Sequence, residues 1–107
     1  MKAIPEMQPE ELKRRLSAGE DILVLDVREP YEYQICNIHG LLIPIADLPK
    51  RVHELDAARE IVVHCKGGTR SSQAVEFLIK AGFPRVSNLA GGILRWSEKV
   101  DPAVPKY

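Results

Sequence analysis

The sequence predicts an α/β domain in which a parallel sheet carries helices on both faces. Three observations support this. Ile22-Leu23-Val24-Leu25, Leu41-Leu42-Ile43 and Ile61-Val62-Val63 are continuous apolar runs of strand length, and Val86-Ser87-Asn88-Leu89 is a short fourth strand candidate. Runs without polar alternation suit strands buried on both faces. Amphipathic helical stretches lie between them, and strands that alternate with helices imply parallel pairing through crossovers. The chain has 107 residues, of which 45% are hydrophobic and 28% charged. That is enough for one modest core and too apolar for disorder.

The elements follow in order. Pro9-Glu10-Glu11 opens a helix, because proline suits the first turn and carboxylates suit the positive end of the helix dipole. Leu12 and Leu16 mark its inner face and Gly19 ends it. Residues 30–35 form a short helix of one or two turns. Pro44 stops the second strand, and 48–55 is helical with Pro49 in its first turn. The strongest helix spans 71–81, with Ala74, Val75, Leu78, Ile79 and Ala81 at helical spacing and Gly82 at its end. Residues 1–6 are a lead-in, and 101–107 are an extended, proline-marked tail.

Composition narrows the function. Fifteen basic residues balance fifteen acidic ones, which argues against a surface built to bind nucleic acid. No apolar run approaches the ~20 residues of a membrane span, and the first residues lack the apolar stretch of a signal peptide. A cytoplasmic location is the expectation. Two cysteines, Cys36 and Cys65, lie 29 positions apart, too few for a disulfide scaffold. The three scattered histidines His39, His53 and His64, with no CxxC, give no structural zinc pattern, and neither metal nor cofactor is expected.

The chemistry concentrates in His64-Cys65-Lys66-Gly67-Gly68-Thr69-Arg70-Ser71. A buried strand ends at Cys65 and a helix begins shortly after. Two glycines allow the backbone to curl around the sulfur, and successive N–H groups can then form an anion-binding nest. The helix adds its free N–H groups and positive end, and Lys66 and Arg70 add formal charge. These features favour thiolate over thiol and make Cys65 an activated nucleophile in an anion-shaped cradle. Two reactions use such a cradle: attack on phosphorus, or capture of sulfane sulfur as a persulfide. Four residues separate Cys65 from Arg70, one fewer than in the His-Cys-x5-Arg pattern of protein-tyrosine phosphatases. The shorter loop suits a single sulfur atom better than a tetrahedral phosphate.

Three segments together resemble the rhodanese family: Asp26-Val27-Arg28-Glu29-x-x-Glu32-Tyr33, Cys65-x-x-Gly68-x-Arg70-Ser71, and Leu89-x-Gly91-Gly92-Ile93-x-x-Trp96. The resemblance covers nearly all of the chain. It implies one three-layer domain over 1–107, with a central, mainly parallel sheet of five strands flanked by helices. It also implies a sulfurtransferase with Cys65 as catalytic nucleophile, Lys66, Gly67, Gly68, Thr69 and Arg70 as the cradle, and Ser71 opening the helix behind it. The sulfur would pass as a Cys65 persulfide from thiosulfate, or from a protein persulfide such as that of a cysteine desulfurase, to a nucleophilic acceptor. A Cys-dependent phosphatase or arsenate reductase, and a non-catalytic interaction module, are the alternatives.

Other residues take structural readings. Arg28 and Glu32 read as an ion pair near the site. Asn37-Ile38-His39-Gly40 departs from the family's His-Ile-x-Gly, with His39 on the surface. Cys36 reads as a small buried side chain, with a resolving thiol as its sharper alternative. Trp96 reads as core. Gly91-Gly92 makes a tight turn. The ring of His64 should point away from Cys65, because neighbours on a strand face opposite ways. Both ends of the chain resemble the rhodanese domain of adenylyltransferase–sulfurtransferases, which serve molybdopterin, thiamine or thiolated-tRNA synthesis. That resemblance implies a ubiquitin-like sulfur carrier and an adenylyltransferase domain as partners. No strand-associated GxGxxG is present, so the chain reads as an excised domain or a free-standing paralogue.

Overall fold

The computed structural model describes residues 4–107. Five parallel strands form one sheet: β1 (Glu6–Met7), β2 (Ile22–Asp26), β3 (Leu41–Leu42), β4 (Glu60–His64) and β5 (Val86–Leu89), in the order β1-β5-β4-β2-β3. The helices are α1 (Pro9–Ser17), α2 (Pro30–Ile35), α3 (Leu48–Arg51), α4 (Thr69–Lys80) and α5 (Gly92–Lys99). Among the described residues no helix is long and apolar enough to cross a membrane.

Two cores flank the sheet, and strand alternation explains both. Ile61, Val63 and Cys65 point into a core shared with Leu25, Val27 and the inner residues Ala74, Val75 and Leu78 of α4. Val62 points the opposite way, into a core of Met7, Leu12, Ile22, Leu89 and Trp96, where α1 and α5 pack against each other. A two-residue period thus sends alternate side chains of β4 into different cores. The central strands are the longest and most buried, while Leu41 on the edge strand β3 is half-exposed. Trp96 is buried as expected.

Several expectations change. Glu6 lies in β1 rather than in a lead-in; two residues are too few to show a strand pattern. Leu16 and Ile79 are exposed, so the inner faces of α1 and α4 are narrower than their apolar content suggests. The helix expected over 48–55 is one α-turn between two 3₁₀ turns at 45–47 and 52–54. α4 begins at Thr69, two residues early, because Gly68 sits at φ +115° and its carbonyl accepts the first helical bond from the Ser72 N–H at 3.0 Å. The tail 101–107 turns back on the domain: Val104 packs against the second core and its carbonyl accepts the Ser97 hydroxyl at 2.5 Å.

Candidate active site

Cys65 follows the last residue of β4 and lies 1% exposed beneath the loop that leads into α4. This is the junction of strand carboxyl end and helix amino end where open parallel sheets place their sites. The N–H of Gly68 donates to its sulfur at 3.1 Å and the N–H of Ser71 at 3.4 Å. The Ser71 hydroxyl lies 3.3 Å from the same sulfur. Three polar groups thus converge on one atom from a single turn of chain. Gly68 makes this possible, since its φ of +115° is a conformation that side chains rarely tolerate.

The near end of the loop is clamped. The carbonyls of Cys65 and Lys66 accept the N–H groups of Ile93 at 3.0 Å and Leu94 at 3.2 Å. Gly91 and Gly92, at φ +74° and +63°, make the expected turn into α5. A Cβ on Gly92 would collide with both loop carbonyls, so the bare backbone there lets α5 press against the nucleophile's own peptide. A groove of about 460 Å³ opens beside the loop, between Gly67, Gly68 and Thr69 on one side and Asn88 and Gly91 on the other.

The charged residues of the cradle are placed differently from expectation. Gly67 and Thr69 are exposed on the loop. Arg70 forks onto the Glu32 carboxylate, with contacts of 2.7 and 2.9 Å. These hydrogen bonds, with the N–H of Glu29 and against the effect of burial, lower the Glu32 pKa to about 2. Lys66 turns outward, and its ammonium lies 4.5 Å from the centroid of the Tyr107 ring. The groups that touch the sulfur are therefore backbone N–H groups and one hydroxyl, with the formal charges around the rim.

The expected Arg28–Glu32 ion pair does not form. Arg28 precedes α2 and does not lie on it, so the i,i+4 spacing never places the two side chains on one helical face. The fully buried Arg28 guanidinium turns back onto Asp26 at 2.7 Å and also donates to the Cys36 carbonyl at 2.8 Å. His64 lies on the same side of the sheet as Asp26. Its Nε2 is 3.5 Å from the Asp26 carboxylate and has no hydrogen-bond partner, and its Nδ1 is 3.3 Å from the Cys65 carbonyl. Burial pushes the imidazole below its ordinary pKa, against the pull of Asp26. The ring faces away from the sulfur, as strand alternation requires. Cys36 is a buried free thiol that donates to the Pro105 carbonyl at 3.3 Å. Asn37 ties the end of α2 to the following turn, accepting the His39 N–H and donating to the Tyr33 carbonyl. His39 is exposed.

Sequence reasoning missed Asn88. Its side-chain oxygen accepts the Ser71 hydroxyl at 2.6 Å and its amide donates to the Gly68 carbonyl at 3.3 Å. One buried carboxamide at the end of β5 therefore fixes both residues whose N–H groups reach Cys65. An asparagine inside a short, largely buried strand was the available signal, because buried polar groups need partners.

Comparison with known proteins agrees with this geometry. The family model of the rhodanese-like domain matches residues 8–99. A protein named sulfurtransferase from Allochromatium vinosum is 37% identical over 94% of this chain and 95% of its own length. A probable adenylyltransferase/sulfurtransferase, MoeZ of Mycobacterium tuberculosis, is 35% identical over 92% of this chain, which spans only 26% of that protein. The crystal structure of a rhodanese-related protein from Thermoplasma volcanium superposes with a TM-score of 0.83 at 33% identity, covering 96% of this chain and 99% of that one.

Proposed function

Since the chain belongs to the rhodanese-like domain family, we propose that it is a sulfurtransferase that carries sulfane sulfur on Cys65. The observation that carries this reading is the convergence of the Gly68 and Ser71 N–H groups on the Cys65 sulfur. Such a set of donors stabilises negative charge on sulfur without a metal or a separate base. The Cys65 thiolate attacks the outer sulfur of thiosulfate. A new S–S bond forms, the donor's S–S bond breaks, and sulfite leaves with the bonding pair. The anionic outer sulfur of the persulfide then meets the same donors. In the second half an acceptor nucleophile attacks that outer sulfur, the S–S bond breaks, and the thiolate of Cys65 returns.

Gly67 and Thr69 shape the loop, Lys66 gives its rim positive charge toward an anionic donor, and Arg70, paired with Glu32, braces the loop against α2. A protein persulfide could replace thiosulfate by the same displacement. The likeness to adenylyltransferase/sulfurtransferases supports an acceptor of the ubiquitin-like sulfur-carrier class, activated by an adenylyltransferase. The groove between the loop and Gly91 has room for an extended chain end.

Incubation with thiosulfate, followed by intact-protein mass spectrometry, tests the reading. The wild-type protein should gain one sulfur atom, which cyanide should remove, and Cys65→Ser should gain none. Absence of the adduct with both thiosulfate and a persulfide donor refutes it, as does Cys65-dependent turnover of an aryl phosphate.

A further inference from the structure

We propose that Tyr107 is a positioning residue for anionic sulfur donors: it holds the Lys66 ammonium at the mouth of the Cys65 loop. This rests on the reading of Cys65 as the sulfur-accepting nucleophile. Lys66 directly follows Cys65, yet among the described residues it forms no ion pair, while Arg70 is held by Glu32. Its ammonium sits over the Tyr107 ring instead, 4.5 Å from the centroid. A lysine on such a loop otherwise samples many rotamers. An aromatic face gives its charge one preferred place without neutralising it, which a carboxylate would do.

The segment that carries the ring is fastened at two points, and the ring itself meets one further side chain. Val104 is packed into the second core and fastened by Ser97. The carbonyl of Pro105, two residues before Tyr107, accepts the Cys36 thiol. The edge of Tyr31, from the first turn of α2, meets the Tyr107 ring at 6.3 Å between centroids and 75° between planes. Tyr31 adjoins Glu32, the residue that holds Arg70. The rim therefore carries two differently treated cations: Arg70, committed to a carboxylate, and Lys66, fixed in place with its charge available to an incoming anion. The buried Cys36 thiol, which the chemistry at Cys65 leaves unused, serves to pin the segment that brings Tyr107 there.

The test compares how fast iodoacetate, an anion, and iodoacetamide, its neutral analogue, alkylate Cys65, read on the Cys65 peptide so that Cys36 does not contribute. The ratio of the two rates cancels changes in nucleophile reactivity and reports charge at the mouth. Tyr107→Ala should lower the iodoacetate-to-iodoacetamide ratio about two- to fivefold, the range expected for losing an exposed cation–π contact. Tyr107→Phe should keep the wild-type ratio. Lys66→Ala should lower it at least as far, and adding Tyr107→Ala to Lys66→Ala should change nothing further. In thiosulfate turnover, KM should rise by the same factor in Tyr107→Ala with kcat unchanged. The proposal is overturned if Tyr107→Ala leaves the ratio unchanged, if its effect persists without Lys66, or if neither reagent reaches Cys65. The alkylation ratio needs no sulfur transfer, so a protein that shows the shift but takes no sulfur refutes the proposed function alone.

Discussion

Two segments that follow neighbouring strands use similar residues to opposite ends. From the last residue of β2 onward, Asp26, Arg28 and Glu32 supply three formal charges, and almost every polar atom is engaged by another protein group. After β4, the sulfur of Cys65 gathers backbone N–H groups from Gly68 and Ser71, with no formal charge in contact. The first segment is the more charged and reads as the more chemical, yet it is an internal brace. Reactivity arises where the backbone leaves donors aimed at an atom that can still change partners; a charge already matched and buried is held in place.

The sharpest way to break this contrast is to remove the sulfur. Cys65→Ser should lose all measurable uptake of a sulfur atom, read by intact mass, while the thermal unfolding midpoint stays near that of the wild type. Arg28→Met should do the reverse. It strands the Asp26 carboxylate in the interior, and urea unfolding should show a loss of roughly 3–5 kcal/mol. The folded fraction should still take up sulfur. If Arg28→Met abolished uptake in protein shown to be folded, the division between brace and cradle would fail.

Asn88 lies between the two behaviours, a buried polar group whose partners are the cradle itself. Asn88→Leu removes the partners of the Ser71 hydroxyl and the Gly68 carbonyl. Persulfide formation in stopped-flow or quenched mass measurements should slow by roughly tenfold or more, the rate equivalent of a ~1.4 kcal/mol loss. An unchanged rate would show that the loop holds its shape without the carboxamide.

The smallest effect concerns the Glu32–Arg70 pair, which links the segments. The pKa of Glu32 is lowered to about 2 from an ordinary 4.5. Its unfolded form therefore binds a proton at higher pH than its folded form. The pair's stabilisation is complete above pH 4.5 and is lost as pH falls from 4.5 toward about 2. Arg70 is about one-third exposed, so the contribution should be about 1 kcal/mol. Glu32→Gln should flatten that part of the stability–pH curve in acid unfolding; an unaltered slope would show that the pair adds nothing.

Much of this contrast was legible in the sequence, and what escaped has identifiable causes. The apolar runs and their alternation with helices led to the parallel sheet because burial on both faces leaves a local pattern. Cys65 and its glycines were legible because the turn is made by neighbouring residues. Partner choice was not local. Arg70 finds Glu32 across 38 positions, while the nearer Arg28 is excluded because α2 starts only at Pro30. Asn88 was hidden because its partners Ser71 and Gly68 lie 17 and 20 positions away. The tail read as extended because prolines suggest it, but its docking depends on Cys36, 69 positions from Pro105, as well as on nearby Ser97.

The contact of Gly92 with the peptide of Cys65 bears on how such a loop could be remodelled. With the carbonyls of Cys65 and Lys66 tied to the start of α5, the nucleophile's depth is set by a neighbouring helix and not by the length of the loop. An insertion therefore has only residues 67–69 in which to be absorbed. A cradle widened there could admit a larger anion while the sulfur stayed at the same height, so substrate size and nucleophile position can vary independently in this architecture.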